Sequence, residues 1–311
     1  MSAALREASM TKKVLVTGAS GFIGQHALAP LIARGYEVHA ISSRRSKRGD
    51  DGVVWHTCDL LEPGGSQALL AQLRPTHLLH LAWYVVPGKL ITAPENFAWV
   101  TASLDLLRRF AEQGGKRVTV CGSGYEYDWS YGYCSEKLTP AVPNTVYGSC
   151  KQALNLLAQS LASQAGLSAA WGRVFFLYGP HEHPDRLVSS VIRSLLRKEP
   201  ARCSHGRQIR DYLHVQDVAD GLVALLDSPL EGPVNVSSGE ATTLREIVLT
   251  IGRLLERPDL IQLGAIPARA NDTPLVVGDN TRMTTETGWA PRHDLESGLR
   301  QTIEWWQRQA G

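Results

Sequence analysis

Tyr147 and Lys151, four residues apart in Tyr147-Gly148-Ser149-Cys150-Lys151, have the types and spacing for proton transfer. The segment follows a Pro- and Asn-containing connection and opens an apolar run, Leu154, Leu157 and Leu161, whose spacing predicts a helix. Residues four apart share a helix face, so the phenol and the ammonium point into one space. A free phenol titrates near pH ~10. A fixed positive charge beside it favours the phenolate and brings acid–base work closer to neutrality. The same pair also fits an ordinary amphipathic helix surface, so its meaning depends on what surrounds it.

A hydroxyl lies 24 residues upstream, at Ser123. Val118-Thr119-Val120-Cys121 predicts a strand running into Gly122-Ser123-Gly124-Tyr125. In a parallel sheet this places Ser123 at the carboxyl edge, where ligands bind.

The first elements of the chain say what that ligand is. Lys12 to Thr17 predicts a strand that runs directly into Gly18-Ala19-Ser20-Gly21-Phe22-Ile23-Gly24, and Ile23, Ala27, Leu28, Leu31 and Ile32 continue at helical spacing. Strand, glycine turn and helix make the context of a dinucleotide fingerprint, although the spacing is G-x-x-G-x-x-G. The glycines admit a pyrophosphate and the helix N-terminus supplies N–H groups and positive potential. Pro30 inside this helix removes a hydrogen bond and is a local conflict. The next strand, Glu37 to Ile41, ends at Ser42-Ser43-Arg44-Arg45. An NAD site places a carboxylate there for the ribose, whereas an NADP site places arginine for the 2′-phosphate. The reading is NADP(H), with Arg44 on the phosphate and Ser42 or Ser43 assisting; a solvated basic loop is the bland alternative.

Val53 to Thr57 predicts a third strand ending at Cys58-Asp59-Leu60, where Asp59 either meets an adenine amine or caps the helix beginning near Gly65. Thr76 to Trp83 predicts a fully buried strand in which His80 is a packed histidine. A long helix over 96–113 follows. Strands alternating with helices over the first 150 residues predict an α/β, Rossmann-type, doubly wound parallel sheet. On it, Ser123 donates to a substrate oxygen, Tyr147 exchanges a proton with it, and Lys151 holds the phenol's charge and the nicotinamide ribose.

Composition excludes other classes. The 311 residues are 43% hydrophobic and 20% charged, with a net charge of +2, which gives no case for nucleic acid or a membrane surface as partner. Five scattered cysteines (Cys58, Cys121, Cys134, Cys150 and Cys203) suggest reduced thiols and a cytoplasmic location. Residues 1–11 lack a signal-peptide pattern and are expected to form a flexible tail, and no apolar run is long enough to span a membrane. His181-x-His183 and Cys203-x-His205 have the look of metal ligands, but the chemistry needs none and no metal is expected.

In order along nearly the whole chain, TGASGFIG (17–24), CDL (58–60), HLAW (80–83), the Ser123 segment, YGSCK (147–151), RVFFLYGP (173–180), RDYLHVQDVAD (210–220), ARAND (268–272) and the terminal GW-P to WW run (288–306) resemble the extended short-chain dehydrogenase/reductase family. This is the family of nucleotide-sugar epimerases, dehydratases and ketoreductases. The resemblance implies a dinucleotide-binding domain (12–179 and 210–235) and a smaller, discontinuous α+β substrate domain (180–209 and 236–311). It adds Leu60, Leu81, Ala82 and Trp83 to the cofactor contacts, Gly124, Tyr125 and His181 to the substrate contacts, and Arg210 and Arg269 as grips for a nucleotide diphosphate. Helices 96–113 and 147–163 pair two copies in relatives, so a homodimer is expected.

Departures narrow the activity. Family dehydratases carry an Asp-Glu pair directly after the serine or threonine; here Gly124 and Tyr125 stand there. Family 3,5-epimerases pair a cysteine two residues past the serine with a histidine after YGP; here Tyr125 takes the cysteine's place, while His181 matches the histidine. Phe176 and Trp99 replace two common asparagines. What remains is reduction of a nucleotide-linked 4-keto-6-deoxyhexose with NADPH, or C4-epimerisation through tightly held NAD, and the basic strand end selects the first. A catalytically silent NADP(H)-binding regulator predicts a broken Ser/Tyr/Lys set, whereas this one is complete. The loop from Tyr125 to Tyr131 either walls the sugar site together with Trp83 and Tyr84 or packs on the fold, and Glu126 within it is a candidate second acid–base group.

Overall fold

The computed structural model describes residues 12–43, 52–268 and 272–310. The expected tail at 1–11, Arg44 and Arg269 lie outside the described residues. The first half runs β1 (Lys13–Thr17), α1 (Gly24–Ala33), β2 (Glu37–Ser42), β3 (Val53–Thr57), α2 (Gln67–Leu73), β4 (His77–His80), α3 (Glu95–Glu112) and β5 (Arg117–Ser123). Then come β6 (Tyr133–Cys134), α4 (Val146–Ala165), β7 (Ser168–Val174), β8 (Phe176–Tyr178), α5 (Leu187–Leu196), β9 (Ala201–Cys203), β10 (Ile209–Arg210), β11 (Tyr212–His214) and α6 (Val215–Asp227). The chain ends with β12 (Gly232–Val236), β13 (Thr242–Thr243), α7 (Leu244–Leu254), β14 (Ile261–Leu263), β15 (Leu275–Gly278), α8 (Thr281–Thr287) and α9 (Leu295–Ala310).

Seven strands form one parallel sheet in the order β12-β7-β5-β4-β1-β2-β3. The chain winds outward from β1 over β2 and β3, then returns to β4 and winds the other way, so its direction reverses between β1 and β4. A crevice opens at such a switch point, beyond the carboxyl ends of the strands. Both faces are covered, which is why the central strands are nearly continuous apolar runs. Val14, Val16 and Leu79 pack with Leu31 of α1 and Leu222 of α6 on one side; Leu15 and Leu78 pack with Leu70 of α2, Leu106 of α3 and Leu154 of α4 on the other. A third apolar cluster joins α5, α7 and α9 through Ile192, Ile251 and Ile303.

Three local expectations change. The strand expected over 76–83 forms ladder pairs only at His77–His80, and the following residues leave the sheet to line the crevice. The strand expected to return to the sheet after Asp211 pairs instead with β8, in a separate two-stranded ribbon; α6 covers the main sheet and β12 is the strand that joins it. Pro30 costs less than expected because the carbonyl it orphans, that of His26, accepts a hydrogen bond from Gln216 Nε2 at 3.2 Å.

Candidate functional site

A cavity of about 1150 Å³ lies across the carboxyl ends of β1 to β5. Its cofactor side begins with the glycine turn. Gly18 has φ +66°, and a Cβ there would meet Ala82 N at 2.7 Å, so the turn after β1 rests directly on the chain leaving β4. Gly24 starts α1 so close to that turn that a Cβ would lie 2.1 Å from Gly18 O. Thr17 Oγ1 accepts the Leu81 and Ala82 N–H groups at 3.1 and 3.2 Å. His80 Nδ1 lies 2.7 Å from the same oxygen, and His80 Nε2 lies 2.8 Å from Ser103 Oγ. Burial draws its pKa down to about 3, so His80 is a neutral spacer.

Ser20, Gly21, Phe22 and Ile23, with Gly18 and Gly24, line the cavity together with Ser42 and Ser43 after β2, Asp59 and Leu60 after β3, and Leu81, Ala82 and Trp83 after β4. The fold thus gathers every described residue expected to touch the dinucleotide. No carboxylate ends β2, where Ser42 is the last strand residue and Ser43 follows. Asp59 accepts from its own Leu61 N–H at 2.9 Å and does not cap α2, whose N-cap is Ser66.

The wall that carries Ser123, Tyr147 and Lys151 is built from the end of β5 and the first turns of α4. Thr145 caps α4 by accepting the Gly148 N–H at 3.0 Å, and Gly148 lets the helix approach Tyr125 O, which a Cβ would meet at 2.2 Å. Ser123, Tyr147 and Lys151 all line the cavity, and each is less than a tenth exposed. Burial pushes the Tyr147 phenol above its ordinary pKa, while its hydrogen bond to Ser123 pulls the other way. Lys151 Nζ donates to Cys121 O at 2.8 Å and lies 3.8 Å from the centroid of the Trp83 ring. Desolvation lowers its pKa to about 8. The expectation that this ammonium draws the phenol's pKa down is therefore corrected: the charge is held against β5 and an indole, and desolvation decides the phenol. Burial thus favours the protonated phenol.

Glu126 is not a second acid–base group facing the cavity. Fully buried, it accepts from Ser123 N–H at 2.7 Å, Trp171 Nε1–H at 2.9 Å and Arg173 Nε–H at 2.7 Å. It is the anchor that fixes Ser123. Gly124 is likewise turned away from the cavity: a Cβ there would press on Phe175 at 2.9 Å, and its carbonyl accepts from Trp129 Nε1–H at 2.7 Å. The aromatic loop divides between the two roles expected of it. Tyr125 lines the cavity 5.7 Å from the Tyr147 ring, whereas Tyr127 is buried and donates to Asn235 Oδ1 at 2.8 Å.

On the opposite wall His181 lines the cavity at φ +69°, its ring 4.6 Å from Trp305 and 5.9 Å from His26. Arg210 is not brought to the cavity. It is 3% exposed, donates to Asp272 Oδ1 at 2.6 Å and to Ile209 O at 2.8 Å, and so is already neutralised. Among the described residues the arginine that lines the cavity is Arg186, which is exposed and which the sequence marks only as the residue before α5. An arginine at an N-cap, where Ser, Thr, Asp or Asn is the rule, was the available signal. Glu182, Tyr212, Trp305 and Trp306 also line this wall. Glu182 Oε2 accepts from Ser189 Oγ–H at 2.7 Å and Ser189 N–H at 3.1 Å, and burial raises its pKa to about 7.

Comparison with known proteins agrees with this geometry. The family model described as NAD dependent epimerase/dehydratase family matches residues 14–237. A UDP-glucose 4-epimerase of Rhizobium meliloti is 25% identical, covering 95% of this chain and 97% of its own. A GDP-6-deoxy-D-mannose reductase of Pseudomonas aeruginosa is 26% identical, covering 96% and 98%. The structure of MoeE5 in complex with UDP-glucose and NAD superimposes with a TM-score of 0.82 at 31% identity, covering 96% of this chain and 100% of that one. With the glycine turn, the switch-point crevice and the Ser/Tyr/Lys wall in one fold, the chain belongs to the NAD-dependent epimerase/dehydratase family, within the extended short-chain dehydrogenases/reductases.

Proposed function

We propose that the protein is an NADPH-dependent reductase of a nucleotide-linked 4-keto-6-deoxyhexose. The observation that carries this is Tyr147 hydrogen-bonded to Ser123 in a crevice whose β2 edge offers hydroxyls, with Arg44 next in sequence, and no carboxylate. Ser123 polarises the C4 carbonyl and Tyr147 donates its proton to the oxygen as hydride reaches the carbon. NADPH, held by the glycine turn and the end of β2, would supply that hydride when bound. Lys151, tied to Cys121 O beside the phenol, is our choice for the nicotinamide ribose, and solvent restores the phenol's proton. Gly124 and Tyr125, in place of acid residues, support reduction over dehydration. Arg186, beside Tyr212 on the far wall, is our choice for the diphosphate, with the undescribed Arg269 as partner. The exposed Phe97, Leu156 and Leu157 on α3 and α4 support a homodimer through those helices, and none of the described helices is long and apolar enough to cross a membrane.

A C4-epimerase retaining NAD is the second reading, favoured by the MoeE5 complex, which holds NAD and UDP-glucose. NADPH oxidation with a panel of UDP-, GDP-, CDP- and dTDP-4-keto-6-deoxyhexoses decides between them. Turnover with one of these, lost to NADH on Arg44→Asp, is expected. No turnover, with NAD recovered from the purified protein, overturns the reductase in favour of the epimerase.

A further inference from the structure

The rings around Tyr147 form an unbroken belt. From one end, Trp99 lies 6.3 Å from Trp83, Trp83 lies 6.5 Å from Tyr147 and Tyr147 lies 5.7 Å from Tyr125, centroid to centroid. The belt continues from Tyr125 to Trp129 at 4.3 Å, to Phe176 at 6.0 Å and to Tyr212 at 5.6 Å. All but Trp129 border the cavity. Two of the belt's three indole N–H groups are committed elsewhere. Trp83 Nε1 donates to Asn96 Oδ1 at 2.8 Å, and Trp129 Nε1 donates to Gly124 O. Lys151, beneath Trp83, is held by Cys121 O. Val85, Leu90 and Ile91 extend the apolar lining.

A ring hydroxyl pressed against such a surface gives up its water and gains no partner, which weakens binding by roughly ten- to a hundredfold. A methyl or methylene at the same place gains by leaving water. Ser123 and Tyr147 are claimed by the reacting carbonyl oxygen, which leaves Trp99 Nε1 and the phenol oxygens of Tyr125 and Tyr212 as the belt's few other polar atoms. We propose that the belt selects a hydroxyl-poor reactant: a nucleotide-linked 4-ketohexose that, besides the 6-hydroxyl, lacks at least one further ring hydroxyl. This rests on the reductase reading above and narrows its substrate. Phe176 and Trp99, on either side of the phenol, are the residues that enforce the choice.

The test compares NADPH oxidation with 4-keto-6-deoxy-, 4-keto-3,6-dideoxy- and 4-keto-2,3,6-trideoxyhexose, each as its dTDP and CDP conjugate. Expected is a kcat/KM at least tenfold higher for one of the two hydroxyl-poorer sugars. Equal or better use of the 6-deoxy sugar overturns the inference and leaves the reductase standing. Oxidation of NADPH with none of them, while NADPH still binds, overturns the reductase reading itself. Phe176→Asn places a polar group in the belt and should narrow the preference at least fivefold, whereas Phe176→Leu, which removes only the ring, should not; equal effects of the two overturn the assignment to the belt. Trp99→Gln repeats the comparison from the opposite side should Phe176→Asn fail to fold.

Discussion

The two walls of the cavity are built by different physics. On the wall that carries Ser123, Tyr147 and Lys151, each residue is held by a main-chain or carboxylate contact, and desolvation raises the pKa of the phenol and lowers that of the amine. On the opposite wall, the loop carrying His181 and Arg186 meets Trp305 of α9 through a ring contact and presents an exposed guanidinium. We expect the first wall to serve turnover and the second to serve binding. Substitutions should therefore separate: kcat and stability on one side, KM on the other.

The largest effect belongs to the phenol. Tyr147→Phe removes the proton donor and leaves the ring contacts with Trp83 and Tyr125 in place, so kcat should fall by roughly 10²- to 10⁴-fold. NADPH affinity, followed by its fluorescence, should stay within a few fold. A fall in affinity as large as that in kcat would mean that the first wall also serves retention, and the contrast would collapse.

Next in size is the anchor below Ser123. Glu126→Ala leaves the Arg173 guanidinium, 3% exposed, buried without its carboxylate, which costs about 3–5 kcal/mol. Urea denaturation reads this directly. A double-mutant cycle with Arg173→Met should recover much of the loss, because two apolar groups replace a broken pair.

Arg186→Ala tests the other wall. Its side chain is exposed and caps nothing, so Tm should hold while KM for the sugar nucleotide rises about tenfold and kcat moves less than twofold. A drop in kcat matching the rise in KM would place Arg186 on the reacting group rather than on the diphosphate.

The same contrast explains what could be read from the chain. The first wall was legible because each part is local: a strand running into Gly18, a strand ending at Ser123, and a phenol and an amine one turn apart. Local pattern also fixed β1 to β5 and the fold class, since period and turn residues act over a few positions. What pattern could not supply was the balance of long-range terms. That burial outweighs Lys151 in setting the phenol depends on Cys121 and Trp83, 30 and 68 positions away. Arg210 carried an arginine's promise, but Asp272 claims it from 62 residues further on. Glu126 looked chemical because carboxylates usually are exposed, and only the fold brings Trp171 and Arg173 over it. Trp305 and Trp306 gave a signal, a doubled aromatic on an amphipathic helix, without saying which surface it would meet.

The smallest effect comes from Glu182, which ties the YGP loop to α5 through Ser189. Its folded pKa, about 7, lies above the ordinary carboxylate value because burial disfavours the charge. Between the unfolded value near ~4.5 and about 7 the folded state keeps a proton that the unfolded chain has lost. Stability from this group is thus fully present below the unfolded pKa and lost as pH rises through 7. Glu182→Gln can still accept both Ser189 hydrogen bonds and never ionises. Relative to the unmodified protein it should gain stability as pH rises from 5 to 8, on the order of 1 kcal/mol or roughly 2–4 °C in Tm, and gain nothing further above that window. Melting curves at pH 5 and pH 8 check the sign. A parallel dependence in both proteins would show that the loop carries its carboxylate ionised throughout.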